Sequence, residues 1–249
     1  MSRRLLLLVS SCLLILAART TPAATPASPN TPTAPPSILF IGDSLSVGTF
    51  GSSIQGQLIA RYGASNFALY ASCGSSPEHW LANEPTFVTR CGFRMTTSTR
   101  SAYIDYVDGK RPPAVNTPKI EKLLALHKPE VVIIQLGTNW LDDFAKESST
   151  EDIRKKQAVL HNLGTALRGK RVIWILPPDS SKFSKSAQAT VREIIRSSAY
   201  KERFEALIDS RRLTHYVRGK TGSDGIHYNG EDAIRWANGV MENLVYVLH

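Results

Sequence analysis

The feature that most constrains the fold is a repeated alternation of short apolar runs with helical patterns. The apolar runs are short, as in buried parallel strands, and they lie at residues 37–41, 67–71, 131–136, 171–176 and 204–208. The run 131–136 is the clearest of them, because it is continuous and rich in β-branched residues. The helical patterns lie near residues 53–62, 118–127, 150–167, 186–200 and 231–248. Strands that alternate with helices form parallel βαβ units. The sequence therefore predicts an α/β fold, a three-layer α/β/α sandwich with a mostly parallel sheet.

The N-terminal segment has a different character. Two arginines, Arg3 and Arg4, precede the apolar run 5–18, which is shorter than the roughly 18 or more residues of a spanning helix. This pattern predicts a signal peptide over residues 1–19, and hence a periplasmic or secreted protein. A retained N-terminal anchor is the alternative, and it would be the only contact with a membrane. A lipoprotein signal ending at Cys12 is a weaker interpretation, since apolar residues would remain after it.

Residues 20–36 contain six prolines among Thr, Ala, Ser and Asn. Such a segment cannot bury apolar surface, so we expect a disordered linker followed by one folded domain over residues 37–249. The formal net charge of the whole chain is +9. Without the three arginines of the leader, 27 basic residues face 21 acidic ones. This excess favours anionic cell-envelope polymers as neighbours, whereas no recognisable nucleic-acid-binding module is present.

Two cysteines, Cys73 and Cys91, remain after the leader. In an oxidising compartment two cysteines are expected to form a disulfide, and two buried free thiols are the alternative. No pattern of His and Cys supports a zinc site. Cys91 lies in a segment, about residues 75–117, that is rich in turn residues and aromatics and has no regular period. We interpret this segment as a long loop insertion or small lid, of the kind that often carries function.

Polar residues that could take part in a chemical reaction lie where the predicted strands end. Ser44 follows the first strand, Asn139 follows the strand near residue 131, and Asp224 and His227 precede the last helix. Each could be a cap or a turn residue. Equally, a serine could be a nucleophile, an Asn amide could donate to an oxyanion, and an Asp–His pair could provide an oriented base. In open α/β sheets ligands bind beyond the carboxyl ends of the strands, which is where these residues are expected.

Taken together, these residues resemble the sequence blocks of the SGNH, or GDSL-type, hydrolases. Residues 42–46 (Gly-Asp-Ser-Leu-Ser) resemble the GDSL block, residues 137–139 (Gly-Thr-Asn) the GxN block and residues 224–227 (Asp-Gly-Ile-His) the DxxH block. Gly74, after the second strand, is the match for the single glycine of the remaining block. The blocks occur in order over nearly the whole folded region, a far more specific signal than any one of them.

The resemblance implies a flavodoxin-like sandwich and hydrolysis of an ester or thioester through an acyl-enzyme. Its motifs make Ser44 the nucleophile, His227 the base and Asp224 the residue that orients the base. The oxyanion hole would consist of the backbone N–H groups of Ser44 and Gly74 and the side chain of Asn139. This chemistry requires no metal and no organic cofactor.

Other polar residues receive minor roles. We expect Asp43 to tie down the turn that presents Ser44, and Ser46 to be a spectator. Asp209, at the end of a predicted strand, is an alternative acid without a nearby histidine in the sequence. Four other histidines are expected at surface or packing positions, namely His79, His127, His161 and His215. Of these, His79 has a weak claim to substrate contact because it lies in the long loop.

The substrate follows less directly from the sequence. Export, positive charge and an aromatic-bearing loop favour removal of a small acyl group, such as acetyl, from a cell-envelope carbohydrate, because aromatic faces stack on sugars. Alternatives are a lipase, a lysophospholipase, a thioesterase or an acyltransferase with the same triad. A non-catalytic wall-binding module is a further alternative, although binding alone would not require the complete triad.

Overall fold

The structure is a computed structural model that describes residues 34–145 and 149–249. The predicted signal peptide or anchor, Cys12 and most of the predicted linker therefore lie outside the described residues. In the part of the chain that the structure does describe, no helix is both long enough and apolar enough to cross a membrane. The same residues contain no cluster of three or more His, Cys, Asp or Glu side chains suited to a metal ion.

Within the described residues the chain forms nine strands and six α-helices. The strands are β1 (Ile38–Gly42), β2 (Phe67–Ser72), β3 (Val88–Thr89), β4 (Phe93–Thr96), β5 (Ser101–Ile104), β6 (Val115–Asn116), β7 (Val131–Gln135), β8 (Arg171–Ile175) and β9 (Ala206–Ile208). The helices are α1 (Ser44–Val47), α2 (Thr49–Tyr62), α3 (Ile120–His127), α4 (Thr150–Ala166), α5 (Lys185–Glu202) and α6 (Gly230–Leu248). Short 3₁₀ helices occupy Ala64–Asn66, Pro77–Trp80, Thr138–Leu141 and Ser210–Arg212.

Seven strands form the main sheet, in the order β5-β4-β2-β1-β7-β8-β9. The five adjacent strands β2, β1, β7, β8 and β9 run parallel to one another. Beyond β2 the sheet continues with β4, which is antiparallel to β2, and β5, which is antiparallel to β4. The predicted mostly parallel α/β sandwich is confirmed. Because β1 lies at the centre, its carboxyl end opens between those of β2 and β7, and the segments that follow these three strands meet at one edge.

The two faces of the sheet bury separate apolar cores. On β1, Ile38 and Phe40 face α2 and α6, while Leu39 and Ile41 face α3, α4 and α5. This alternation is the period of two residues that a strand imposes on its side chains. All five residues of β1 are buried, which explains why the strand reads as one continuous apolar run.

The segment 75–117 differs from the predicted irregular loop. It contributes β4 and β5 to the main sheet, and β3 pairs with β6 in a small separate sheet. The sequence shows no period here because these strands are only two to four residues long. Their stability comes from pairing with β2 and with each other, which a local pattern does not report.

The predicted disulfide is present. Cys73 and Cys91 are bonded, with their Cα atoms 5.5 Å apart. Cys73 directly follows β2, and Cys91 directly precedes the Gly92–Phe93 entry into β4. The bond therefore fixes the antiparallel extension of the sheet to the strand that leads into Gly74.

Candidate active site

A short buried turn presents Ser44 beyond the end of β1. The Asp43 carboxylate caps α1 by accepting a hydrogen bond from the backbone N–H of Leu45 at 3.0 Å. Ser44 is the first residue of α1 and is half-buried, whereas the residues on both sides are fully buried. Its backbone N–H lies where a helix has no internal acceptor, so this group remains free to bind an anion. Asp43 thus shapes the turn, as expected from the sequence.

A buried polar cluster lies beneath this turn. The Ser46 hydroxyl donates to Oε1 of Gln135, at the end of β7, over 2.6 Å. Asp43, Ser46 and Gln135 are all fully inaccessible to solvent. Burial raises the pKa of Asp43 to about 6, against the opposing effect of the Leu45 N–H. The amide of Gln135 and the hydroxyl of Thr138 approach this carboxyl without the alignment of a good hydrogen bond. Ser46 therefore stabilises the turn that carries Ser44, whereas the sequence predicted no role for it.

The loop before α6 brings Asp224 and His227 to Ser44. Nε2 of His227 lies 3.0 Å from the Ser44 Oγ, and Nδ1 of His227 lies 2.5 Å from Oδ2 of Asp224. The other carboxylate oxygen of Asp224 accepts hydrogen bonds from the backbone N–H groups of Ile226 and His227, each at 2.8 Å. Burial acts to raise the pKa of Asp224, but these hydrogen bonds outweigh it and lower the pKa to about 2. Asp224 is consequently ionised at neutral pH and able to orient the imidazole.

Neighbouring residues hold this loop in place. The buried Tyr216 hydroxyl accepts from the Gly225 N–H at 3.0 Å and donates to the carbonyl of His227 at 3.2 Å. The hydroxyl of Ser180 donates to the carbonyl of Gly225 at 2.6 Å. Gly225 has a φ of +88°, a conformation that residues with a Cβ rarely adopt. The backbone of the loop that carries Asp224 and His227 is thus held by hydrogen bonds from Tyr216 and Ser180, while the two side chains stay about half exposed.

Two further segments approach the same edge of the sheet, after β2 and β7. Gly74 has a φ of +80°, which suits glycine, and Asn139 donates through Nδ2 to the carbonyl of Ser75 over 2.8 Å. That bond fixes the orientation of the Asn139 amide and leaves its second N–H free for another acceptor. Trp140 reinforces the link between the two segments by donating to Glu78 at 2.8 Å. The arrangement can supply two backbone N–H groups and one side-chain amide to a developing oxyanion.

A small cavity opens at Ser44 between α2 and α6. Its volume is about 60 Å³, and its lining includes Ser44, His227, Tyr228 and Trp236. Phe50 stacks on Trp236 with ring centroids 3.6 Å apart and closes the far side of the cavity. A volume of this size is only about twice the roughly 30 Å³ of one water molecule in the liquid.

The other candidate residues lie apart from this arrangement. Asp209 accepts from Arg196 and Arg211 and makes no hydrogen bond to a histidine. Four other histidines contact other groups: His79 accepts from the Ser76 N–H, His127 is hydrogen-bonded to Tyr70 and His161 to Glu202, and Nδ1 of His215 lies 3.7 Å from Oδ2 of Asp179. The sequence reasoning did not identify Tyr216, Ser75 and Gln135 as supports of the site. Gln135, a polar residue closing an otherwise apolar strand, carried a signal for a buried polar contact that could have been recognised.

Comparisons with known proteins give structural but not sequence matches. No protein-family model matches the chain, and no curated protein matches it in sequence. A peptidoglycan O-acetylesterase superposes with a TM-score of 0.54 at 12% identity, over 85% of this chain and 91% of that one. A carbohydrate esterase family 3 protein from Talaromyces cellulolyticus gives 0.55 at 14% identity, over 85% and 97%. TesA gives 0.53 at 17% identity, over 84% and 98%.

These similarities extend over most of each chain at identities too low to carry a function. The protein therefore has the fold of the SGNH, or GDSL-type, hydrolases.

Proposed function

We propose that this protein is an exported serine esterase that removes a short acyl group, acetyl above all, from a carbohydrate of the cell envelope. The observation that carries the proposal is the hydrogen-bonded chain from Ser44 through His227 to Asp224. Such a chain activates a hydroxyl that is a weak nucleophile by itself.

In the proposed reaction the Ser44 Oγ attacks the ester carbonyl while Nε2 of His227 takes its proton. The ionised Asp224 holds the imidazole in the required tautomer and stabilises the imidazolium that forms. The oxyanion accepts hydrogen bonds from the N–H groups of Ser44 and Gly74 and from the Asn139 amide. His227 then returns the proton to the leaving alcohol, and water releases the acyl group from Ser44 by the same steps.

The preference for a short acyl group rests on the space around the nucleophile. The cavity at Ser44 has a volume of about 60 Å³, and the stacked aromatic pair Phe50 and Trp236 forms part of its lining. Each methylene of a longer chain contributes about 0.8 kcal/mol only where a pocket buries it. Solved structures that share the fold include a peptidoglycan O-acetylesterase and a carbohydrate esterase, which supports a carbohydrate as the alcohol.

A substrate panel tests the proposal on the purified protein. The panel compares p-nitrophenyl acetate, butyrate and octanoate, and it measures acetate released from O-acetylated polysaccharides without an added acceptor alcohol. We expect kcat/KM to fall steeply from acetate to octanoate, and acetate release in water separates a hydrolase from an acyltransferase. A rate that rises through octanoate would instead support a lipase or thioesterase.

The variant Ser44→Ala tests the nucleophile, and Ser52→Ala is its matched control. Ser52 is exposed on α2 and donates only to the Thr49 carbonyl of its own turn. Hydrolysis should disappear in the first variant and persist in the second. Equal activity in Ser44→Ala and the unchanged protein would exclude Ser44 as the nucleophile.

Export is tested separately, by fractionating cells that express the whole chain or a chain without residues 1–19. Full-length protein should reach the periplasm or the medium, and its mature N-terminus should lie among the small residues that follow the apolar run. Retention of the truncated chain in the cytoplasm is the expected control result. A full-length chain that stayed in the membrane fraction with an intact N-terminus would favour the anchor.

A further inference from the structure

A second and larger cavity lies beside the candidate active site. It has a volume of about 410 Å³ and opens between the segment after β9 and the first turns of α6. Three arginines line it: Arg211 and Arg212 from the first segment, and Arg235 from α6. Cavities of roughly 300–1,000 Å³ are the usual size for small-molecule sites. This cavity is therefore large enough for a group the size of a sugar unit.

The cavity shares one lining residue, Tyr228, with the small cavity at Ser44. Tyr228 follows His227 in the chain, and its side chain lines both this cavity and the small one at Ser44. The Tyr228 hydroxyl donates to the carbonyl of Asp179 at 2.6 Å, which fixes the shared wall. A polymer with its ester at Ser44 could therefore place a neighbouring unit over Tyr228 and into the larger cavity.

The positive charge of this cavity is only partly neutralised. Asp232 is bound to Arg235 at 2.7 Å and is the only carboxylate of the lining. Asp209 contacts Arg211 at 3.3 Å from outside the lining. Among the described residues, no carboxylate lies within 4.0 Å of the exposed Arg212 guanidinium. The lining thus has three formal positive charges and one negative, and Arg212 is the group left for a ligand.

A buried neighbour is consistent with this local excess of positive charge. Burial, together with the nearby Arg211, lowers the pKa of Arg192 to about 10. Nε of Arg192 has no hydrogen-bond partner among the described residues. An anion bound nearby would offset the mutual repulsion of these arginines. Guanidinium groups are also the side chains best suited to bind carboxylate or phosphate through two parallel hydrogen bonds.

We propose that the arginine-lined cavity binds an anionic group, a carboxylate or a phosphate, on the carbohydrate whose acetyl ester is cleaved at Ser44. The inference rests on the proposed function and narrows its substrate class to acidic polysaccharides. The cavity holds the unit next to the acetylated one, and Arg212 is the residue that contacts its charge.

The test compares an acidic with a neutral acetylated polysaccharide. The ratio of kcat/KM on acetylated polygalacturonate to that on acetylated glucomannan should exceed one and fall with added salt, because exposed charges are screened. In Arg212→Gln this ratio should fall about tenfold, since a charge-assisted hydrogen bond is lost. Arg212→Lys keeps the positive charge but loses the two parallel N–H donors of the guanidinium, so its ratio should lie between those of Arg212→Gln and the unchanged protein. Inhibition by glucuronate or by inorganic phosphate then distinguishes a carboxylate from a phosphate site.

Arg168→Gln is the matched control. Arg168 is an exposed arginine between α4 and the amino end of β8, whereas the candidate site lies at the carboxyl ends of the strands. Its loss should leave the ratio unchanged. A ratio that is insensitive to salt and equal in Arg212→Gln and the unchanged protein would overturn the proposal.

A binding measurement separates this inference from the proposed function. Titration of oligogalacturonate into Ser44→Ala protein does not depend on turnover. Binding that is weakened about tenfold by adding Arg212→Gln supports the cavity even if no ester is hydrolysed. Binding that is absent, or that is unaffected by Arg212→Gln, rejects the cavity even if the protein proves to be an esterase.

Discussion

The two halves of the candidate triad are held in different ways. The nucleophile turn, residues 42–47, follows the central strand and is fixed by the fully buried Asp43 and Ser46. The acid–base loop, residues 224–228, crosses the surface, and the side chains of Asp224 and His227 are 47% and 48% exposed. The candidate nucleophile, anchored after the central strand, thus meets a candidate base carried on a loop. The turn depends on buried polar contacts, and the loop depends on hydrogen bonds from Tyr216 and Ser180.

The largest expected effect tests whether the two halves act as one unit. Ser44→Ala and His227→Ala should each lower kcat on p-nitrophenyl acetate by about 10⁴-fold or more, because each removes a step that the other requires. For the same reason the double variant should be scarcely slower than either single one. Additive losses in this double-mutant cycle would show that the turn and the loop contribute independently.

The next effect concerns the disulfide that lies on the nucleophile side. Closing a loop of this length, with a sequence separation of 18, stabilises a fold by about 3 kcal/mol. Cys73→Ser/Cys91→Ser should therefore lower Tm by roughly 6–12 °C, as measured by calorimetry. Because Cys73 precedes Gly74, we also expect a lower kcat at temperatures where the variant remains folded. An unchanged kcat would restrict the disulfide to a purely structural role.

Asp43 should make the stability of the nucleophile turn depend on pH. Burial raises its pKa from 3.8 in the unfolded chain to about 6, so the folded state binds a proton that the unfolded state has released. Stability from this group is complete below about pH 4 and is lost as the pH rises through about 6. Two pKa units correspond to about 3 kcal/mol. The free energy of unfolding of Asp43→Asn, relative to the unchanged protein, should rise by up to this amount from pH 4 to pH 8.

Denaturant titrations at the two pH values measure that difference. Asp142→Asn, the same chemical change at an exposed position, is the control. If Asp43→Asn were equally destabilised at both pH values, the Leu45 N–H bond would be the dominant contribution of Asp43 and its burial would be unimportant.

The smallest effect tests the support of the acid–base loop. Tyr216→Phe removes the hydroxyl that joins Gly225 to the carbonyl of His227. We expect the free energy of unfolding to fall by about 1 kcal/mol, the usual net contribution of one hydrogen bond. kcat should fall several-fold with little change in KM, since the imidazole is less well oriented. Tyr246→Phe, at a position 87% exposed, should change neither quantity, and identical kinetics in both variants would contradict this role.

The fold was largely predictable because its central strands have strong local patterns. The predicted run 131–136 corresponds to β7 at Val131–Gln135, and the predicted helix 231–248 to α6 at Gly230–Leu248. These elements are fully buried or amphipathic, so that burial is visible in the residue types. In contrast, β4 and β5 were missed because their short strands depend on partners elsewhere in the chain.

The residues of the candidate site were likewise only partly predictable from the sequence. Sequence blocks identified Ser44, Gly74, Asn139, Asp224 and His227, and the structure brings the four segments that carry them to one edge of the sheet. Their catalytic roles remain predictions. The supports of the site, Tyr216 and Gln135, were not identified because a single Tyr or Gln in a sequence does not reveal its partner.

By itself, the sequence determined the layers of the fold and the chemical groups available for a reaction, since periodicity and residue type are local properties. Only the tertiary structure decided which groups meet. The 3.0 Å contact between Ser44 and His227 joins residues 183 positions apart, and the arginine-lined cavity joins the end of β9 to α6. Such contacts depend on how strands are ordered and how loops close over them, and packing of the whole chain fixes that geometry.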